Sequence, residues 1–178
     1  MLHGTLVDLR AVEAYDIPTL ARWYNDPEVM VYWGRPGNTV SQAEVEAREQ
    51  AEASRGSSRK YIIQTKDEQA IGQIDYYDLD WQNRSAWISI MLGEKQFWSG
   101  GYGTDAVRTL LRYLFYQLDL RRVALSLHES NKRAQRSYEK NGFVQEGLMR
   151  DWAHFDDRWV NGILMAVLRE DFERAIAG

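Results

Sequence analysis

The chain contains no cysteine. That absence excludes disulfides, zinc–thiolate sites, iron–sulfur clusters and a cysteine nucleophile. It is compatible with a reducing compartment, and a cytoplasmic location is expected. No uninterrupted apolar run approaches the ~20 residues a membrane-spanning helix needs, so no membrane role is expected. The opening Met1-Leu2-His3-Gly4-Thr5 lacks a basic region followed by an apolar one, so no signal peptide is expected either. An excess of positive charge is also missing: 22 Lys and Arg face 26 Asp and Glu, a net −4. Nucleic-acid binders are usually basic, so that role is disfavoured, and a mildly acidic surface suits cationic or amine partners better. What remains is an ordinary globular composition, 44% hydrophobic and 27% charged, over 178 residues. One domain spanning residues 1–178 is the expectation.

Apolar periodicity orders the chain. Thr5 to Val12 alternates like a strand. Asp16-Ile17-Pro18 opens a helix with Asp16 as candidate cap and Leu20, Trp23 and Tyr24 facing inward; Asn25-Asp26-Pro27 stops it. Arg35-Pro36-Gly37-Asn38 signals a turn. Ser41-Gln42-Ala43-Glu44 reads as a capping box for a surface helix reaching about Ser54. Three strands follow, Lys60 to Thr65, Ala70 to Asp78 and Ser85 to Leu92, with connections short enough to require antiparallel pairing. A helix with Ala106, Val107, Leu110, Leu111, Leu114 and Phe115 on one face comes next. Then come a strand from Arg122 to Leu127, a helix from Asn131 to Asn141, two strands (from Phe143, and Arg158 to Leu168), and a helical tail from Arg169. This order implies an α/β fold with a central, mostly antiparallel mixed sheet and one parallel strand–helix–strand crossover.

The crossover contains a glycine cluster, Trp98-Ser99-Gly100-Gly101-Tyr102-Gly103-Thr104, running directly into a helix. Glycine lets a ligand approach main-chain N–H groups, and the first N–H groups of a helix are unpaired and electropositive. Such a junction suits an anion. A nucleotide P-loop needs Lys followed by Ser or Thr after its second glycine; Thr104-Asp105 follows Gly103, so that reading fails. Gly101-Tyr102-Gly103-Thr104-Asp105-Ala106 satisfies the dinucleotide pattern G-x-G-x-x-A. Its next acid, Glu129, is farther than the usual ~20 residues, and too few crossovers follow for a doubly wound sheet. Downstream, Asn131, Ala134 and Tyr138 share one helical face. Each admits two roles: Asn131 caps the helix or meets a ligand, and Tyr138 fills the core or presents its phenol.

Together these stretches resemble the GNAT acyltransferase superfamily, and within it the RimJ/RimL-type N-acetyltransferases. The resemblance covers nearly the whole chain. It is carried by Leu9-Arg10-Ala11-Val12 with Leu20, Trp23 and Asn25-Asp26-Pro27-Glu28-Val29, by Ile71-Gly72 and Asn83-Arg84-Ser85-Ala86, and by the loop Trp98 to Thr104. Asn131 to Phe143 matches N-x-x-A-x-x-x-Y-x-K-x-G-F, and Gln145 to Arg150 and Leu164 to Arg169 match the closing strands. The resemblance implies acetyl-coenzyme A as donor and no metal. It implies that backbone at Ile90, Met91 and Leu92 pairs with the pantetheine arm. It places the pyrophosphate on Ser99, Gly100, Gly101, Tyr102, Gly103 and Thr104, beside Trp98. Asn131 is expected to contact the coenzyme, Ala134 to flank it, and Tyr138 to bind it and donate a proton to the departing thiolate. A phenol is protonated at neutral pH yet able to give up its proton as thiolate charge develops.

The sequence departs from the pattern in two places. Trp98 stands where Arg or Gln often opens the loop, and Trp87 stands where many relatives carry Glu. Asp75, Asp78, Asp80 and Glu129 are candidate bases by residue type only. Tyr32, Trp33 and Trp87, with Met30 and Trp81, are candidate acceptor-site walls, since aromatic faces suit cationic amines. The implied activity is acetyl transfer to a primary amine by direct attack; the acceptor is a protein or peptide α-amine, a polyamine or an amino-bearing metabolite. A homodimer is a reasonable assembly for a tryptophan-rich chain. The alternative, prompted by Trp87, is a non-catalytic module that binds acetyl-coenzyme A.

Overall fold

The computed structural model describes residues 1–33, 39–155 and 157–177. The turn expected at Arg35 to Asn38 lies outside the described residues. The chain opens with β1 (Leu2–His3), β2 (Val7–Ala11), α1 (Ile17–Tyr24) and α2 (Gln42–Ala53). β3 (Arg59–Thr65), β4 (Ala70–Asp80) and β5 (Ser85–Leu92) form the meander, followed by α3 (Tyr102–Tyr116) and β6 (Arg122–His128). α4 (Lys132–Glu139), β7 (Val144–Phe155), β8 (Arg158–Leu168) and α5 (Arg169–Ala177) complete it. The sheet order is β1-β2-β3-β4-β5-β6-β8-β7. Only β5 and β6 run parallel among the described residues. A doubly wound dinucleotide sheet needs several parallel pairs, so the dinucleotide pattern at Gly101 has no matching fold around it.

Residue chemistry explains most boundaries. Ser41 Oγ accepts from Glu44 N at 3.2 Å while Glu44 Oε2 accepts from Ser41 N at 2.8 Å, the reciprocal capping box that starts α2. Asp16 does not cap α1 with its side chain. Its carboxylate instead accepts a forked pair from Arg10 at 2.7 Å each and a third bond from Glu13 N at 2.8 Å, tying β2 to the turn before α1. The first strand is shorter than its alternation suggests. Leu6 N and Val7 N bond the Asp105 carboxylate of α3 at 2.7 and 3.1 Å, which anchors the start of β2 to that helix.

Two apolar layers cover the sheet. α3 buries Ala106, Val107, Leu110, Leu111, Leu114 and Phe115 completely, in a cluster with Ile74, Ile88, Val123, Tyr138 and Phe172. At roughly 1.5–3 kcal/mol per large side chain removed from water, this stripe fixes the crossover helix on its face. The opposite face carries α1 and α2, with Ile17, Leu20, Trp23, Tyr24 and Val45 packed on Ile62 and Met91. Strand alternation divides β4 between them: Ile74 and Tyr76 face α3, and Gln73, hydrogen-bonded by Tyr24 Oη at 2.8 Å, faces α1.

Candidate active site

The parallel ladder is short. Ser85, Ala86 and Trp87 pair with Arg122, Val123 and Ala124, and neither strand pairs with the other beyond that. Among the described residues β5 continues through Ile90, Met91 and Leu92 with no ladder partner on its β6 side, so the centre of the sheet carries an open strand edge. Trp98 closes its end: the indole Nε1 donates to Leu92 O at 2.9 Å, and the Arg133 guanidinium lies 4.4 Å over the ring. Trp98 therefore holds the loop through its side chain, and any anion grip belongs to the backbone after it.

That backbone presents donors free to meet an anion. Ser99 and Gly101 have φ of +66° and +87°. For Ser99 this is a strained conformation, and it turns the following N–H groups inward. Among the described residues, no protein acceptor meets the N–H groups of Ser99, Gly100, Gly101, Tyr102, Gly103 or Thr104; the first paired one is Asp105 N, on Gly101 O at 3.0 Å. They sit at the N-terminus of α3, where the helix dipole adds positive potential. A Cβ built on Gly103 would meet only Leu92 Cδ1 at 3.5 Å and Ile90 Cδ1 at 3.9 Å. Packing alone does not demand glycine there.

α4 packs beside this loop. Asn131 Oδ1 accepts from Ala134 N at 3.2 Å, so the capping role of Asn131 is present, and Ala134 is half-buried against the core. Tyr138 is buried, its ring 5.5 Å from that of Phe143. Burial, then the charges of Tyr77 and Asp75, push its phenol up, so it carries its proton at neutral pH. Asn141, fully buried, clamps the assembly. Its Nδ2 donates to Thr104 O and Ser137 O, each at 3.1 Å, and its Oδ1 accepts from Arg108 Nε at 3.3 Å. Thr104 Oγ1 and Ser137 Oγ share a further bond at 2.8 Å.

The expected aromatic walls separate. Trp87 stacks on Tyr77, ring centres 6.5 Å apart and 25° from parallel. Tyr32 stands against His128 at 5.6 Å, and Trp152 meets His128 edge-on at 5.5 Å. Trp33 and Trp81 are exposed. Trp81 lies in the β4–β5 turn, away from any wall.

A cavity of about 600 Å³ opens between α2, the ends of β2 and β4, and the start of β3. Glu13, Glu46, Glu49, Glu52, Asp75 and Asp78 line it, against Arg55, Arg59 and Lys60, so carboxylates outnumber cations six to three. Lys60 Nζ bonds Glu49 at 2.5 Å and Glu52 at 2.9 Å. Burial opposes its charge, but Tyr24 and the two glutamates outweigh that and keep it protonated. Among the described residues Asp75 forms no ion pair. Burial pushes its carboxyl up to about 6, partly countered by the Ser89 hydrogen bond and the Lys60 charge, with Glu52 and Glu49 adding to the rise. Reading the sequence alone missed this cavity. Its signal was the three-residue spacing of Glu46, Glu49 and Glu52 along α2, which reads equally as a solvated helix face.

A family model for the acetyltransferase (GNAT) domain matches residues 7–144. An uncharacterized N-acetyltransferase, p20, of Bacillus licheniformis is 26% identical over 174 residues, covering 96% of this chain and 97% of its own. The spermidine N(1)-acetyltransferase of Vibrio cholerae is 23% identical over 165 residues, 92% and 94% of the two chains. The crystal structure of the Vibrio cholerae spermidine N-acetyltransferase with CoA and spermine superposes with a TM-score of 0.86 at 23% identity, covering 94% of this chain and 98% of that one.

Proposed function

The chain belongs to the acetyltransferase (GNAT) domain family and is an acetyl-coenzyme A-dependent N-acetyltransferase; from that premise we propose that its acceptor is a small polycationic amine of the polyamine class. The observation that carries this is the cavity beside Tyr77 and Asp75, where six carboxylates face three cations. A multiply charged amine gains from each added carboxylate, whereas a protein α-amine brings only one charge. The spermidine acetyltransferase among the similar proteins supports the same class. A RimJ/RimL-type acceptor, a protein N-terminus, is the second reading, supported by the loop and closing-strand motifs alone. Exposed Trp152, Trp159 and Leu148 on the β7–β8 hairpin support a homodimer, and the absence of cysteine supports a cytoplasmic site of action. No observation favours a non-catalytic module.

The donor site fits its ligand: six consecutive unpaired N–H groups suit a pyrophosphate, and an open strand edge suits the amides of a pantetheine arm. Acetyl-coenzyme A supplies an acyl carbonyl activated as a thioester. The backbone from Ser99 to Thr104 holds the phosphates, and Ile90 to Leu92 orient the arm. Asn131 and Ala134 flank it from α4. Tyr138 holds a proton at Oη and gives it to the departing sulfur. Tyr77, with Trp87 stacked on it, walls the acceptor side; Tyr32 and Trp33 stand apart from it.

The test is thiol release with acetyl-coenzyme A over spermidine, spermine, an N-terminal peptide and an amino sugar. Polyamines should turn over with the highest kcat/KM. Turnover confined to the peptide would sink the polyamine reading. Tyr138→Phe should lower kcat about 10²-fold with acetyl-coenzyme A affinity retained; undiminished turnover across pH would remove Tyr138 as proton donor.

A further inference from the structure

We propose that Asp75 is the catalytic base, taking the proton of the incoming ammonium in the cavity between α2 and β4. The inference rests on the amine-acceptor reading above and names the group that makes the amine nucleophilic.

Position selects it. Cross-strand register sets Asp75 opposite Ser89 and Tyr77 opposite Trp87. Residues two apart on a strand share a face, so Asp75 lies diagonally across the ladder from Trp87, where β5 offers no carboxylate. The Ser89 hydroxyl donates to Asp75 Oδ1 at 2.5 Å and fixes the carboxylate. Tyr77 continues the cavity wall. The charge of Asp75 acts on Tyr138, so base and proton donor stand within electrostatic reach across the sheet.

The other carboxylates are otherwise engaged or fully solvated. Lys60 occupies Glu49 and Glu52. Asp80 accepts from Asn83 N and Nδ2 at 2.8 and 2.6 Å in the β4–β5 turn, and Glu129 accepts from Asn161 Nδ2 at 3.0 Å. Glu13, Glu46 and Asp78 are exposed; they attract a polycation without being matched to its proton. The groups facing Asp75 are Lys60 of β3, Glu49 and Glu52 of α2, Ser89 of β5, Tyr77 and Asp78 of β4, and Tyr138 of α4.

Protons and bonds balance with these two groups. Asp75 takes one proton from the ammonium. The nitrogen–carbonyl bond forms and the carbon–sulfur bond breaks. Tyr138 gives its proton to sulfur, and the second nitrogen proton returns to Tyr138 through solvent. Asp75 then releases its proton to water. A carboxyl near 6 is about two units closer to an amine than an ordinary aspartate, which favours the first transfer roughly 10²-fold.

The experiment compares wild type, Asp75→Asn and Ser89→Ala with spermidine. In wild type, kcat/KM should fall below a break near pH 6. Ser89→Ala should move that break upward, because the lost bond stabilised the charged form. Asp75→Asn should lower kcat at least 10²-fold and remove the break, with acetyl-coenzyme A affinity unchanged as proof of folding. Without donor present, ¹³C NMR should titrate the Asp75 carboxyl near 6, and spermidine should lower that midpoint. A midpoint at the ordinary aspartate value or unmoved by spermidine, or a wild-type break surviving in Asp75→Asn, overturns the assignment. Wild type inactive toward every amine of the panel would overturn the amine-acceptor reading, a result visible before any variant is made.

Discussion

Gly103 separates a fold requirement from a ligand requirement. Gly142 is needed by the fold: its φ is +87°, and a Cβ there would meet Asp171 O at 2.7 Å. Gly103 has room for a methyl group, with nothing closer than 3.5 Å. Ala at such a helical position loses less entropy on folding. Gly103→Ala should therefore leave stability unchanged or raise it by about 0.5–1 kcal/mol in urea unfolding. The same methyl group stands on the surface proposed to hold the pyrophosphate, so calorimetry should show acetyl-coenzyme A affinity at least tenfold weaker. Equal affinity would place the phosphates elsewhere. Residue scale also divides the two tryptophans that depart from the family pattern. Trp98 holds Leu92 O and supports Arg133, a structural duty, whereas Trp87 stacks on Tyr77, a residue of the cavity lining.

Among elements, α3 and α4 act as a pair. α3 presents the glycine loop and α4 presents Tyr138, and the proposed roles of both require their ends to stay in register. Asn141 secures that by bonding Thr104 in the first turn of α3, Ser137 in α4, and Arg108. Asn141→Ala removes three hydrogen bonds made by a fully buried side chain. The cost should be about 2–3 kcal/mol, read by chemical denaturation. Acetyl-coenzyme A binding should weaken as well, since Thr104 belongs to the loop. Stability lost with affinity intact would mean that the clamp does not extend to the donor site.

Over the whole molecule, the sheet separates two environments, an apolar layer under α3 to α5 and a layer with a charged cavity under α1 and α2. The burial of Asp75 has a thermodynamic consequence. Its folded pKa, about 6, lies above its unfolded value of 3.8. Between these values the folded state binds more protons, so this group lowers stability as pH rises from about 4 to 6, with a constant deficit above. Asp75→Asn should therefore be more stable than wild type at pH 7, by on the order of 2–3 kcal/mol, and nearly equal at pH 4. Asp8, Asp26, Glu94 and Glu146 are held below their ordinary values and contribute stability that is lost in acid. They are common to both proteins and cancel in the difference. Urea unfolding from pH 4 to 7 measures it; a difference that does not grow with pH would place Asp75 in water. As the proposed base, Asp75 exchanges stability for activity.

The sequence by itself determined the order of elements, the crossover with its glycine loop, and the α4 face bearing Asn131 and Tyr138. These depend on local rules: periodicity, capping residues and glycine punctuation act over a few residues, so the Ser41 box and the α3 stripe were legible one stretch at a time. Only the tertiary structure decided that Asp75 and Asp78, and not Asp80 or Glu129, line the cavity, that Ser89 bonds Asp75, and that Asp16 serves Arg10 rather than α1. It also decided that Tyr32 and Trp87 occupy separate places, and that α2 brings Glu49 and Glu52 over β4. The reason is physical: a carboxylate's burial and charge partners come from strands and helices far away in the chain, and no local pattern encodes the distance between them.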